Sequence, residues 1–189
     1  MWGGIQGKDL YANKVLLKWD RWQENVWKQK FLRRECKDVT FIDALNFLKN
    51  KMRGFTHNTL IRTSCVKDWD PPHGLHIGED HHLFLHVIKK GYKWAVYNRP
   101  VCFHYAFLSL SETLSRAAYT TREVKRIVKC GYIEPKNLWM NPSIQTYFRI
   151  LLISFGKALL ASIYEKDPRI LMYKLCEHGP PLLVHLATP

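Results

Sequence analysis

The spacing of bulky apolar residues divides the start of the chain into a short strand and a long amphipathic segment. Residues 1–5 are predicted to form the strand. Within residues 10–35, Trp19, Trp22 and Val26 recur at the spacing of one helical face, although the aromatic and β-branched content also permits a strand. The interpretation of this segment is therefore left open between a helix and a strand.

A helix start and several breaks follow. The Thr40-x-x-Asp43 pattern resembles a capping box, and it predicts a helix that carries apolar residues from Phe41 onward and ends near Gly54. Residues 55–62 are predicted to form a strand, and residues 64–69 a short helical turn. A loop must follow at residues 70–72, because two consecutive prolines cannot continue a helix.

The middle of the chain alternates between helix and strand. A helix is predicted to begin near Glu79, where two acidic residues occupy its first turn, and to stop at Gly91. Residues 92–97 then form a strand, Pro100 breaks it, and residues 101–105 make a second extended piece. The pattern is helical again from Ser111 to Lys129.

The last region is nearly all apolar from Tyr147 to Tyr164, apart from Arg149 and Lys157. Two cations and a glycine in so short a run argue against a single transmembrane span. One interpretation is a helix in the membrane interface whose cations reach the headgroups, and the other is a core helix or one docked on a partner. Residues 168–176 predict a short further helix, ended by the Gly-Pro-Pro at residues 179–181.

Composition and charge narrow the class of protein. With 189 residues, 47% of them hydrophobic, the chain is long enough for one domain with a sizeable core, which excludes a disordered tail or a collagen-like repeat. The net charge of +13 predicts an anionic partner, which is nucleic acid, an acidic membrane surface or a phosphorylated substrate. Five cysteines without a C-x-x-C pair indicate a reducing compartment, so we expect a cytoplasmic protein.

Residues 76–105 form the most informative stretch for chemistry. The acidic pair Glu79-Asp80 lies where a loop meets the start of a helix, and the strand after that helix ends at His104. Such an arrangement can bring a carboxylate and an imidazole to one cleft.

The same stretch resembles the second half of the family-two glycosyltransferases, which have the GT-A fold. In that family a Glu-Asp pair opens a helix, and a Gly-Tyr pair, a strand and a His follow. Here Gly91-Tyr92 and His104 take those places. Residues 53–62 are similar to the family's acceptor-side strand, and Trp2-Gly3-Gly4 to the strand after its metal-binding Asp-x-Asp. The resemblance covers residues 1 to about 105.

The resemblance implies an α/β fold. We expect an incomplete GT-A-like mixed sheet with flanking helices over residues 1–110, and a helical tail, in contact with a membrane, over residues 111–189. The family's nucleotide-binding half precedes the matched region and has no counterpart in this sequence. The chain is accordingly expected to be a truncated gene, a fragment, or half of a split enzyme whose partner chain supplies that half.

The resemblance also assigns an inverting transfer from a nucleotide-sugar donor to a saccharide or lipid-linked acceptor. Asp80 is the implied base that takes the acceptor's hydroxyl proton, and Glu79 orients it or contacts the acceptor. A divalent ion, Mg or Mn, is expected to neutralise the departing diphosphate, with His104 as a ligand. The implied location is cytoplasmic and peripheral, on the inner face of the cell membrane.

Substrate contacts are assigned to four residues by the same comparison. Arg62 is placed against phosphate, and Trp69 is placed to stack on a sugar or a lipid-linked acceptor. His57 and Asn58, at the start of the acceptor-side strand, complete the set. The string formed by residues 68–70 matches Asp-x-Asp, but it precedes two prolines and follows no apolar strand, so we do not regard it as the metal motif.

Two alternatives without catalysis remain open. A nucleic-acid module fits the positive charge and the interleaved aromatic residues, although the basic residues are dispersed and no known motif is present. A structural zinc site is suggested by His82 and His86, four residues apart on one helical face, with His76, Cys102 and His104 as further ligands.

Overall fold

The described part of the chain consists of four strands, six α-helices and two short 3-10 turns. A computed structural model describes residues 1–31, 39–50, 56, 58–105, 107–137 and 143–187. In chain order the elements are β1 (Trp2–Tyr11), α1 (Lys14–Phe31), β2 (Val39–Ile42), α2 (Ala44–Asn50), β3 (Thr59–Ile61), α3 (Glu79–Lys89), β4 (Lys93–His104), α4 (Leu110–Lys129), α5 (Ile144–Tyr164) and α6 (Arg169–Ala187). The 3-10 turns are Thr63–Cys65 and Pro135–Asn137. The predicted α/β class is confirmed, with a small mixed sheet and a majority of helix.

The chain divides into two compact units, each built from three separate stretches. Unit 1 comprises Met1–Asp9, Lys37–Cys102 and Glu123–Asn141. Unit 2 comprises Leu10–Cys36, Phe103–Arg122 and Pro142–Pro189. The predicted division at residue 110 separates an acceptor-side part from a helical tail by function, whereas these units are defined by contacts. That division therefore stays a prediction.

The sheet has the strand order β2-β4-β1-β3. β1 and β3 are antiparallel, with Gly4 opposite Ile61, and β2 and β4 are antiparallel, with Ile42 opposite Trp94. This order places β1 and β4, which carry Gly4 and Trp94, side by side in the sheet.

Helix α3 is attached to the sheet through the indole of Trp94. That side chain is fully buried, its Nε1 donates a hydrogen bond to Gln6 Oε1 at 3.1 Å, and the Phe84 ring of α3 meets it edge-on at 5.3 Å between centroids. A Cβ on Gly4 would lie 2.8 Å from two carbons of the Trp94 ring. Glycine is therefore required in β1, because the aromatic ring occupies the space of a side chain.

The ends of α3 are set by two glycines in the left-handed region. Gly78, with φ of 85°, precedes the first turn, and Gly91, with φ of 84°, follows the last. Because L-residues with a Cβ are strained at such angles, these positions fix where the helix begins and ends. The predicted start at Glu79 and stop at Gly91 are thereby confirmed.

Several sequence-based boundaries were wrong where distant parts of the chain pair. Phe41 was predicted to be helical, but it belongs to β2 and lies opposite Ala95. Helix α2 begins later, at Ala44, where Asp43 Oδ1 accepts a hydrogen bond from the Asn46 backbone N–H at 2.9 Å. Pairing with β4 therefore outweighs the helical spacing of the apolar residues.

Prolines also misled the prediction at two places. β4 continues through Pro100, where the sequence predicts a break. The pairing of β4 with β2 ends at Tyr97, so no backbone hydrogen bond to β2 is required from Pro100, which has no N–H to donate. α6 does not stop at residue 176 but runs on through Pro180 and Pro181. Helix packing within unit 2 therefore outweighs the local cost of two missing N–H donors.

Unit 2 is a helical assembly with its own core. Residues of α1 meet residues of α5 and α6 in a cluster that contains Val15, Leu16, Trp19, Trp22, Ala158, Ala161, Ile170 and Tyr173. Asn13 precedes the first residue of α1 and caps it, because its Oδ1 accepts hydrogen bonds from the backbone N–H groups of Val15 and Leu16. The segment left open between helix and strand is therefore a helix.

A buried carboxylate connects the helices of unit 2. Asp167, between α5 and α6, accepts hydrogen bonds from Lys18 Nζ at 2.8 Å and from Arg169 Nε at 2.8 Å. These two cations hold the pKa of Asp167 far below its usual range. The carboxylate is thus ionised and paired in the folded chain, and it joins α1 to the turn that precedes α6.

We expect Gly3→Ala to destabilise unit 1 by about 1–3 kcal/mol, because the new Cβ overpacks a filled core. It would lie 2.5 Å from Val87 Cγ1. Gly156→Ala, in the exposed middle of α5, is the matched control, since nothing lies within 4 Å of its Cβ. Denaturant unfolding of both variants checks this, and equal free energies of unfolding would contradict it.

We expect Asp167→Asn to lower the free energy of unfolding by about 1–3 kcal/mol at neutral pH, because two charged hydrogen bonds weaken. Since the pKa of Asp167 is lowered by folding, the wild type should lose this contribution only as the pH falls below about 4. Glu165→Gln, on the same turn, provides the control. A variant as stable as the wild type at pH 7 would show that the ion pairs contribute nothing.

Candidate functional site

Asp80 and Glu79 lie in the first turn of α3, as predicted. The Asp80 residue is 9% exposed, and its Oδ1 accepts a hydrogen bond from the His81 backbone N–H at 2.7 Å. Glu79 is exposed beside it. Carboxylates are stabilised here because the unpaired N–H groups at a helix start give it partial positive charge. The pair is therefore held at one end of a helix that is anchored in the core.

The neighbouring His81 fixes this end of α3, a role that sequence reasoning missed. Its ring is fully buried, lies 5.7 Å from the rings of both Phe47 and Phe84, and its Nε2 is 2.7 Å from the Asn137 backbone oxygen. This contact ties the start of α3 to the 3-10 turn at residues 135–137. The only signal in the sequence was an imidazole on the apolar face of an amphipathic helix.

Trp69 is brought to α3 through His82. Its indole Nε1 donates to His82 Nδ1 at 3.0 Å, and the ring packs on the apolar core of unit 1. Because Nδ1 accepts this hydrogen bond, a neutral His82 carries its proton on Nε2. Burial, with smaller effects of His86 and Lys89, lowers the pKa of His82 and favours that neutral form. The predicted stacking of Trp69 on a sugar stays a prediction.

Arg62 and Asn58 flank the two ends of β3. The Arg62 guanidinium lies 5.0 Å from the centre of the Trp2 ring, and its Nη1 is 3.1 Å from Met1 Sδ. Asn58, with φ of 53°, accepts a hydrogen bond from the Gly7 backbone N–H through its carbonyl oxygen. Four residues of extended chain span roughly 13 Å, so these two predicted substrate contacts lie apart.

His57 and His104 complete the predicted site residues. His57 lies outside the described residues, and His104 is the last residue of β4, but its side chain is not among those described. The cleft that Asp80 was predicted to share with His104 therefore stays a prediction.

The described side chains do not form a metal site. Within them no group of three or more His, Cys, Asp and Glu side chains lies close enough together to hold an ion. His82 accepts from Trp69, and His86 Nε2 lies 3.3 Å from Asp68 Oδ1, so both suggested zinc ligands have other contacts.

A cavity of about 300 Å³ lies on another side of α3. From α3 it is lined by His82, Leu85, His86 and Lys89, and from the segment after α4 by residues 131–134 and Asn137. At 100° of rotation per residue, these α3 positions centre roughly 180° from Asp80. The cavity and Asp80 therefore lie on opposite faces of the helix, whereas Glu79 lies on the same side as His82 and His86. The sequence indicates this cavity only through the i, i+3, i+4, i+7 spacing of its four α3 residues, which places them on one face of the helix.

No family model matches this chain, no curated protein is detectably similar to it in sequence, and no solved structure matches its fold. The glycosyltransferase resemblance therefore depends on the identity and order of the residues described above. It is put forward below as a proposal.

We expect the stability of unit 1 to decrease as the pH falls through about 6.5, the ordinary pKa of histidine. Folding lowers the pKa of His82, so the unfolded chain binds more protons below that pH and is favoured there. His82→Gln should reduce this pH dependence, whereas His76→Gln, at an exposed position, should not. Denaturant titrations at pH 7.5 and 5.5 make the comparison. Equal pH dependence in wild type and His82→Gln would contradict the expectation.

Proposed function

We propose that this chain is the acceptor-side part of an inverting glycosyltransferase of GT-A type. The proposal depends on one observation, the acidic pair Glu79-Asp80 in the first turn of a helix that is held against a mixed sheet. Gly91-Tyr92 and the strand β4 follow that helix in the family's order. β1 with its glycines and β3 with Arg62 after it add support.

The proposed chemistry assigns the proton transfer to Asp80. Its carboxylate takes the proton of an acceptor hydroxyl while that oxygen attacks the anomeric carbon of the donor, and the bond to the nucleoside diphosphate breaks on the opposite side. A base must be held in place to act in this way. The contacts of His81 with Asn137 and of Phe84 with Trp94 supply that rigidity for α3.

The other predicted residues take supporting roles in this proposal. Glu79 orients the acceptor beside Asp80, and Arg62 offsets negative charge on the departing diphosphate. Trp69, with His57 and Asn58, contacts the saccharide or lipid-linked acceptor. A divalent ion would neutralise the diphosphate when bound, with the nucleotide-binding half supplied by a partner chain.

The test measures sugar transfer by the purified chain, alone and with the polypeptide encoded immediately upstream. Nucleoside diphosphate release and incorporation of labelled sugar are followed for a panel of nucleotide-sugar donors, with saccharide and lipid extracts as acceptors. We expect Asp80→Asn to reduce transfer by roughly 10²- to 10⁴-fold, the usual contribution of a general base. Asp70→Asn, on an exposed loop, is the matched control and should transfer normally.

Two results would overturn the proposal. Transfer at the wild-type rate by a folded Asp80→Asn variant would remove the base. No transfer with any donor and acceptor, together with steeply salt-dependent binding to RNA or DNA, would favour the nucleic-acid alternative instead.

A further inference from the structure

The outward face of α5 carries large apolar side chains, whereas most of the side chains that it buries are small. The side chains that α5 buries include Ala158 and Ala161, which are 0% exposed, Ser162, and near its start one large residue, Tyr147. The exposed ones are Ile144, Phe148, Leu152, Ile153, Phe155, Leu159, Leu160, Ile163 and Tyr164. Leu152 is 55% exposed and Ile163 is 66% exposed.

This distribution is the reverse of the one found in a surface helix of a soluble protein. A soluble amphipathic helix turns its large apolar residues toward the core and polar residues outward. Helices in contact with lipid instead meet their protein neighbours through small residues, and present large apolar side chains to the acyl chains. The exposed apolar positions of α5 cover about 200° of its circumference, so they form one continuous surface.

The charged residues around this surface are more often basic than acidic. α5 contains no Asp or Glu, and its exposed face includes Arg149. Two acidic and two basic residues follow its end, and of these Arg169 is paired with the buried Asp167, which leaves Lys166 beside Glu165. Unit 2 as a whole contains fourteen Lys and Arg against seven Asp and Glu, a net charge of +7. Anionic headgroups complement such a surface, at about 1 kcal/mol for each nearby cation. A second copy of the chain would bring equal positive charges together.

We propose that this face of α5 docks on a lipid bilayer with anionic headgroups, with the helix axis in the plane of the interface. Among the described helices, α5 is the one long and apolar enough to cross a membrane by length and composition. In a spanning orientation Lys157, two-thirds of the way along, would lie in the hydrocarbon. In the plane, the exposed Arg149 reaches the headgroups with its long side chain, and Lys157 stays out of the hydrocarbon. This inference is independent of the proposed transfer activity.

The test is sedimentation of the full chain with vesicles of equal parts phosphatidylcholine and phosphatidylglycerol. We expect Leu152→Gln/Ile163→Gln to weaken binding at least about ten-fold, because two exposed apolar side chains no longer enter the lipid. The matched control is Leu45→Gln/Leu48→Gln, at two exposed leucines of α2 in unit 1, which should bind as the wild type does. Arg149→Gln should weaken binding roughly five-fold through loss of one cation.

Each alternative outcome decides against the proposal. Unchanged binding of both the Leu152→Gln/Ile163→Gln and Arg149→Gln variants would overturn it, as would equal binding to vesicles of phosphatidylcholine alone. A dimer seen by light scattering without lipid, and abolished by Leu152→Gln/Ile163→Gln, would assign the face to a second copy. Resistance of the cellular protein to alkaline extraction would indicate a spanning helix. Circular dichroism confirms that each variant is folded.

Discussion

Unit 1 depends on the contact between the Trp94 indole, the backbone of β1 at Gly4 and the ring of Phe84. The indole fills the space that a side chain on Gly4 would need, and its N–H is satisfied by Gln6. Because large aromatic groups dominate core energetics and interiors are densely packed, this contact fixes how α3 lies on the sheet. Asp80 at the start of α3 and the cavity on the opposite face of that helix are positioned by the same contact.

Unit 2 follows a different rule of assembly. Its core is formed by the large side chains of α1, such as Trp19 and Trp22, against small residues of α5. An ionised Asp167 with two cationic partners secures the turn between α5 and α6. Most of the large apolar side chains of α5 are exposed instead, where contact with water is unfavourable. This imbalance, together with the positive charge, is what the proposed contact with anionic lipid resolves.

The two proposals concern different units and different chemistry. The proposed sugar transfer depends on a carboxylate at the start of α3. Membrane docking depends on burial of apolar area and on charge, both of which are properties of α5 and its surroundings. A lipid-linked acceptor would make the two properties useful together, since a transferase on the membrane surface meets such an acceptor by diffusion in two dimensions.

Local signals in the sequence were sufficient for the α/β class and for the helices α3, α4 and α5. Their apolar residues recur at helical spacing, and Gly78 and Gly91 mark the ends of α3 through backbone angles that favour glycine. The presence of the acidic pair at the start of α3 followed from the same signals, because a helix start is a local event.

Only the tertiary structure decided the features that depend on distant residues. Phe41 joins a strand because β4 pairs with it, and α6 continues through two prolines because its neighbours in unit 2 hold it. The contacts of His81 and Trp69, and the separation of the cavity from Asp80, likewise involve residues far apart in sequence. Pairing and packing across such distances contribute more free energy than local preference does, and the spacing of residues along a chain carries no record of them.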